Sequence, residues 1–132
     1  MLKDLGLFSA VENLVLAFKK SNAISIKFIS DIENDPIPYT TSLALYRIVQ
    51  ESLSNIIYHS GAKNCSVSLM KRTGLLLLNI KDDGCGFDIL KIDTKFSHGI
   101  LGMRERAYAI NGKFNINSAL AEGTVIEIEV PI

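Results

Sequence analysis

A chain of 132 residues that is 48% hydrophobic is sized for one domain with a core of its own rather than two domains or a disordered tail. Fourteen basic and fourteen acidic side chains cancel, which excludes a nucleic-acid or anionic-membrane partner gathered by net charge, so any anionic ligand is held locally. Cys65 and Cys85 have no CxxC or Cys/His spacing that would support zinc or a disulfide, and the longest apolar run, GLLLLNI, is too short to cross a bilayer. The expectation is a soluble, cytoplasmic piece without direct membrane contact.

Ser9 and Glu12 read as a capping box opening SAVENLVLAFKKSN, in which Val11, Leu14, Val15 and Phe18 share one helical face. ISIKFISDI then alternates with a period near two and predicts a strand, broken by ENDPIP. From Thr40 or Thr41 as cap, SLALYRIVQESLSNIIYHS continues as the longest helix to about Ser60, with Gly61 placed to end it. NCSVSLMKR and GLLLLNIKD predict two antiparallel strands joined at Thr73 and Gly74, the second apolar enough to be covered on both faces. Residues 84 to 97 lack sustained periodicity. LGMRERAYAI predicts a third helix that stops at Asn111 and Gly112, and KFNINSA and GTVIEIEVPI close the chain as strands.

This order of elements favours an α+β fold, a two-layer sandwich of one mostly antiparallel sheet with helices on one face. A doubly wound fold needs its glycines at the first strand-to-helix turn, and here they come late.

Four groups of residues could carry chemistry. Arg47, Glu51, Asn55 and His59 recur every four positions and form one slanting polar stripe on the long helix. A solvated helix face accounts for such a stripe. Asparagine is nevertheless a poor residue for an exposed helix interior, and a carboxylate one turn from a carboxamide offers oxygen ligands to a hard cation such as magnesium. In DDGCGFD, Gly84 and Gly86 allow positive φ and close approach of backbone to a flat ligand, and Asp82 can accept from an exocyclic amine; a tight turn with a bulge is the plainer reading. In SHGILGMRERA, Gly99 and Gly102 stand just before or inside the first turn of the third helix, where unpaired N–H groups attract phosphate, with a lid hinge as the alternative. Gly123 and Thr124 start the last strand, which a hairpin turn would equally explain.

Taken together, ExxxN on a long helix, DxGxG after a strand, a glycine-rich helix start and Gly-Thr before a closing strand resemble the ATP-binding domain of the GHKL superfamily, which includes DNA gyrase, mismatch-repair ATPases and sensor histidine kinases. LYRIVQESLSNIIYHSGA, DDGCGF and HGILGMRERA resemble sensor histidine kinases of the nitrate and nitrite type. The likeness runs from DLGL, Asp4 to Leu7, through Pro131.

The resemblance implies a Bergerat-type fold that binds ATP and magnesium. By it, Glu51 is the catalytic acid of the first box, Asn55 holds the metal, Asp82 reads the adenine amine, and Gly84 and Gly86 shape the base pocket. Asp83 and Phe87 support that loop. Gly99 and Gly102 belong to the lid and phosphate side, Thr124 lies near the adenine through its hydroxyl, and His59 is a helix-stripe or phosphate-side residue. Where members of the family often carry a basic residue before that histidine, this chain has Tyr58.

The resemblance further implies transfer of the γ-phosphoryl of ATP to a histidine on a separate dimerisation domain, and onward to a response regulator. Neither His59 nor His98 stands in an acceptor motif. The chain is therefore expected to be one catalytic domain, residues 1–132, of a longer membrane-anchored sensor kinase, monomeric and nearly inactive alone, with a lid from about Asp88 to His98 that is mobile without nucleotide. Two alternatives are a serine kinase of the anti-sigma type and a non-catalytic interaction module on the same fold.

Overall fold

The computed structural model describes residues 2–86 and 94–132. In chain order the elements are α1 (Leu2–Ser21), β1 (Ser25–Ser30), α2 (Tyr39–Asn55), a π-helical turn (Ile56–Ser60), β2 (Asn64–Arg72), β3 (Leu75–Asp82), α3 (Thr94–Ala109), β4 (Lys113–Ser118) and β5 (Thr124–Pro131). Phe87 and residues 88–93 of the expected lid lie outside the described residues.

α1 begins earlier than the capping box at Ser9 implies. It is broken at Gly6, whose φ of 78° and ψ of 175° are not helical. The space around Gly6 is open, so positive φ, not crowding, is what calls for glycine. The helix resumes immediately with Leu7, Ala10, Val11 and Val15 buried, which leaves Ser9 inside it rather than at its cap.

α2 also starts differently. Thr40 and Thr41 fall in its first turn, and the residue that leads in is Pro38, with no side-chain cap. Its ring fixes φ at the helix entry; the Ser42 N–H donates to the Pro38 carbonyl at 2.9 Å, and Ser42 Oγ donates to the Ile37 carbonyl at 3.3 Å. At the far end α2 widens into the π turn, which Gly61 closes at φ 64°. Within that turn Ser60 Oγ donates to the Ile56 carbonyl at 2.6 Å and accepts from the Ala62 N–H at 3.0 Å.

The five strands form one sheet in the order β1-β2-β3-β5-β4. β1 runs parallel to β2, which the intervening α2 makes possible, and the other three pairs are antiparallel. The β2–β3 turn has Thr73 and Gly74 both at positive φ, 38° and 77°, the backbone twist that suits a two-residue hairpin.

Alternation then divides the sheet into a buried and an open face. Val67 and Leu69 of β2, Leu76, Leu78 and Ile80 of β3, and Ile126, Ile128 and Val130 of β5 are buried in one cluster with Val11, Leu45, Ile48, Val49, Leu53, Met103 and Ala107 from the three helices. Each large aliphatic side chain so buried contributes about 1.5–3 kcal/mol. β3 is not covered on both faces as its leucine run suggested. Its burial alternates, with Asn79 and Lys81 exposed, because all three helices pack on the other side and leave a two-layer molecule.

Candidate nucleotide site

At one end of the sheet, four polar side chains line up across four strands on the buried face. Cys65 of β2 is in register with Asp82 of β3, Asp82 with Thr124 of β5, and Thr124 with Ser118 of β4. In-register partners on one face have Cβ atoms about 4.5–5.5 Å apart, so the row is continuous. Asp82 is only 6% exposed, and burial raises its carboxyl above the usual carboxylate range, against the lowering effect of the Gly84 N–H. That N–H donates to Asp82 Oδ1 at 2.8 Å. Burial, with the Asp82 and Asp83 charges added, pushes the neighbouring Cys65 thiol up to about 12, so it stays protonated and serves as a small neutral wall.

The loop after β3 is pinned on three sides. Asp83, exposed itself, accepts from the Lys63 and Asn64 N–H groups at 2.9 Å each and from Asn64 Nδ2 at 2.8 Å. The Asn64 side chain and backbone bonds hold its carboxyl below the usual range. The Cys85 N–H donates to the Ser60 carbonyl of the π turn at 2.8 Å, and the Ala121 N–H of the β4–β5 hairpin donates to the Cys85 carbonyl at 2.5 Å.

Two glycines are required here for different reasons. A Cβ on Gly84 would lie 2.6 Å from the Ser60 Cβ, so Gly84 is needed for space. Gly86 has φ 63° and its Cβ would run into the Ala119 carbonyl, so both conformation and space exclude a side chain. The expectation of positive φ therefore holds at Gly86 and not at Gly84.

The second half of the site lies along α2. Glu51 and Asn55 are half-buried rather than solvated, because α3 crosses them. A Cβ on Gly99 would collide with the Glu51 carboxylate and come within 3.8 Å of Asn55 Nδ2. Gly99 and Gly102 were expected at the start of the third helix. α3 begins at Thr94, so both lie within it, and their N–H groups are not the unpaired ones of a helix terminus. Gly102 has open space around it. Beside it a cleft of about 590 Å³ between α2 and α3 is lined by Arg47, Gln50, Glu51, His98 and Arg106, among others.

The structure thus brings Asp82, Gly84, Gly86 and Thr124 together at the sheet end, and Glu51, Asn55 and Gly99 together along α2. His59 stands exposed on the π turn, where its carbonyl accepts from the Cys85 thiol at 3.8 Å. Tyr58 beside it is 75% exposed. Two features escape sequence reasoning: the π turn that carries Ser60 to the loop, and Ser118, whose Oγ lies 2.8 Å from Thr124 Oγ1. The signal for Ser118 is hairpin register, counted back from Gly-Thr through NSALAEGT.

The donor set suits magnesium. Glu51 and Asn55 offer oxygen atoms on one side of α2, and among the described residues no group of three or more His, Cys, Asp or Glu could enclose a metal by itself. A hard cation accepts such oxygens, with phosphate and water completing its shell. Among the described residues, no helix is long and apolar enough to cross a membrane.

Residues 40–132 match the family described as histidine kinase-, DNA gyrase B-, and HSP90-like ATPase. Sensor protein VraS of Staphylococcus epidermidis is 36% identical over 133 aligned positions, covering 99% of this chain and 37% of the relative. VraS of Staphylococcus haemolyticus is 37% identical with the same coverage. The chain therefore spans a little over a third of the length of these relatives. Among solved structures, the histidine kinase domain of the Erythrobacter litoralis EL346 blue-light activated kinase superposes with a TM-score of 0.75 over 95% of this chain and 60% of that one, at 20% identity. Acinetobacter baumannii histidine kinase AdeS does so with a TM-score of 0.71 over 93% and 63%, at 15% identity. At these identities the structural likeness establishes the fold alone.

Proposed function

Because this chain belongs to the histidine kinase-, DNA gyrase B-, and HSP90-like ATPase family, we propose that it is the ATP-binding catalytic domain of a two-component sensor histidine kinase, a single unit of a longer protein. The parent would pass the γ-phosphoryl of ATP to a histidine on a dimerisation domain outside this chain, and a response regulator would receive it next. The observation that carries the reading is the buried Asp82 carboxylate, held between Cys65 and Thr124 at the end of β3 with a glycine loop beside it. Its Oδ1 accepts from the Gly84 N–H, and Oδ2 offers a further acceptor, for which the exocyclic amine of adenine is the donor that fits.

In this reading Asp82 accepts from the amine, Thr124 meets the adjacent ring edge, and the backbone at Gly84 and Gly86 lies against the base. The phosphates run along α2 towards Asn55 and Glu51, beneath Gly99. Magnesium, held by Asn55 with Glu51 beside it, would neutralise phosphate charge. Glu51 orients the group that attacks, and Gly102 leaves the cleft open on the lid side. His59 stands at the phosphate side of the π turn. Catalysis in the assembled kinase is then mainly positioning and charge stabilisation around an in-line transfer, which explains why the chain alone would bind ATP and turn over little. The isolated chain is expected to be monomeric, and a dimer mass in dilute light scattering would contradict that.

The finer placement among nitrate and nitrite sensors rested on LYRIVQESLSNIIYHSGA, DDGCGF and HGILGMRERA. The relatives reported above are VraS sensor proteins, and the kinship we favour is with them.

Calorimetric titration of ATP and magnesium into the chain tests the proposal. Saturable binding that is lost in Asp82→Asn and made insensitive to magnesium in Asn55→Ala is expected. A folded wild-type chain that binds no ATP would leave the fold as an interaction module and overturn the reading.

A further inference from the structure

We infer that Ser60 is a positioning residue for the nucleotide: its hydroxyl holds the π turn in the shape that keeps the Asn55 end of α2 and the base loop at the separation one ligand must span. The inference rests on the nucleotide reading above and concerns a residue to which that reading gives no part.

The π turn joins the two halves of the site. It starts where α2 ends, immediately after Asn55, and Gly61 closes it at φ 64°, so Ser60 is the last residue it presents. The backbone bonds of such a turn reach five residues back, one more than in α2. The Ser60 hydroxyl makes a four-residue bond, donating to the Ile56 carbonyl at 2.6 Å, and it accepts from the Ala62 N–H at 3.0 Å. A serine hydroxyl has one hydrogen and two lone pairs, so the two bonds are compatible. Together they clamp the turn from its first residue to the segment beyond it.

The base loop is built against the residue so held. The Ser60 carbonyl accepts from the Cys85 N–H at 2.8 Å. Gly84 abuts the Ser60 side chain so closely that a Cβ there would lie 2.6 Å from the Ser60 Cβ. The Gly84 N–H in turn donates to Asp82 Oδ1 at 2.8 Å. A path from Asn55 to the Asp82 carboxylate thus runs through covalent chain and two hydrogen bonds of 2.8 Å. A second bond between loop and turn, from the Cys85 thiol to the His59 carbonyl at 3.8 Å, comes from a weak donor and is too long to fix a distance.

Without the Ser60 hydroxyl, the Ile56 carbonyl and the Ala62 N–H each lose a partner, and the turn is free to tighten towards α geometry. The Ser60 carbonyl, with the loop bonded to it, then shifts relative to Asn55. A ligand that touches one half does not register the shift. A nucleotide held at its base by Asp82 and at its phosphates through magnesium on Asn55 does, so the hydroxyl acts on the magnesium-dependent part of the affinity.

The test is calorimetric titration of ATP into the chain with magnesium and, separately, with EDTA. Ser60→Ala should weaken ATP binding about five- to tenfold with magnesium, the usual worth of one hydrogen bond, and leave ATP in EDTA within about twofold of wild type. In an Asn55→Ala background Ser60→Ala should cost less than about twofold in either condition, since the two changes break the same span. Ser60→Cys, close in shape with a weaker donor, should show the same order of losses at smaller size and serves if Ser60→Ala does not fold. Equal losses with and without magnesium would make Ser60 mere support for the loop and overturn the inference, as would no loss in either, or a full loss that persists in the Asn55→Ala background. A wild-type chain that binds no ATP overturns the nucleotide reading itself, and the role of Ser60 falls with it.

Discussion

Gly99→Ala and Gly102→Ala make the same chemical change three residues apart in α3 and should have different consequences. Alanine in a helix interior is favoured over glycine by about 0.8–1 kcal/mol. At Gly102 nothing lies within 4 Å of the new methyl group, so the gain is realised in full, and a domain of this size should melt about 3–4 °C higher. At Gly99 the methyl group meets the Glu51 carboxylate, the far end of a flexible side chain. Glu51 must leave its rotamer, at about 0.5–1.5 kcal/mol, which cancels the helical gain. The two variants should therefore differ by about 1 kcal/mol in urea denaturation. Their nucleotide affinities should separate as well: with magnesium present, Gly99→Ala weakens ATP binding more than Gly102→Ala does, because Glu51 has been displaced beside Asn55. Equal stabilisation by both, with ATP binding intact in both, would refute the packing of α3 on Glu51.

Asp82→Asn should stabilise the unliganded chain at neutral pH even as it removes ATP binding. Burial raises the Asp82 carboxyl, so its contribution to stability is fully present below the ordinary value of 3.8 and is lost as pH rises through the folded value. Urea midpoints from pH 4 to pH 7 should rise in the variant relative to wild type, and a parallel pair of curves would contradict the buried carboxylate. Asp83 works in the opposite sense. Its carboxyl is held low by Asn64 and Lys63, so its support for the start of β2 is present above 3.8 and lost as pH falls through the folded value. Asp83→Ala should accelerate amide exchange at Lys63 and Asn64, and unchanged exchange there would show that those bonds do not form in solution.

Much of the fold was legible because it is written in periodicity. Alternation in ISIKFIS, NCSVSLM and TVIEIEV marks strands that do have one buried face, and the unbroken helix former run from Ser42 onward marks α2. Helical spacing puts Glu51 and Asn55 on one side of α2, under Gly99, and strand register puts Thr124 opposite Asp82. What escaped has a physical cause in each case. The leucines of β3 signal burial by composition, yet Leu75 and Leu77 are only half-covered, since among the described residues nothing packs on the open face. The first turns of α3 contain Ser97, His98 and Gly99, weak helix formers, and tertiary contact of Gly99 with Glu51 and burial of Ile100 outweigh local propensity. The π turn is a change in hydrogen-bond reach, to which the side-chain pattern is blind.

The register of the sheet bears on the order in which the molecule assembles. β2 with β3, and β4 with β5, are hairpins between near neighbours in sequence, so each can form early and alone. Asp82 belongs to the first and Thr124 to the second, and they meet only when the two hairpins zip together along β3 and β5. The base pocket proposed above would thus be a seam between two folding units. A ligand gripping both sides of that seam binds only the completed sheet, so nucleotide would act on this chain as a clasp on its whole fold, raising its resistance to unfolding in proportion to occupancy.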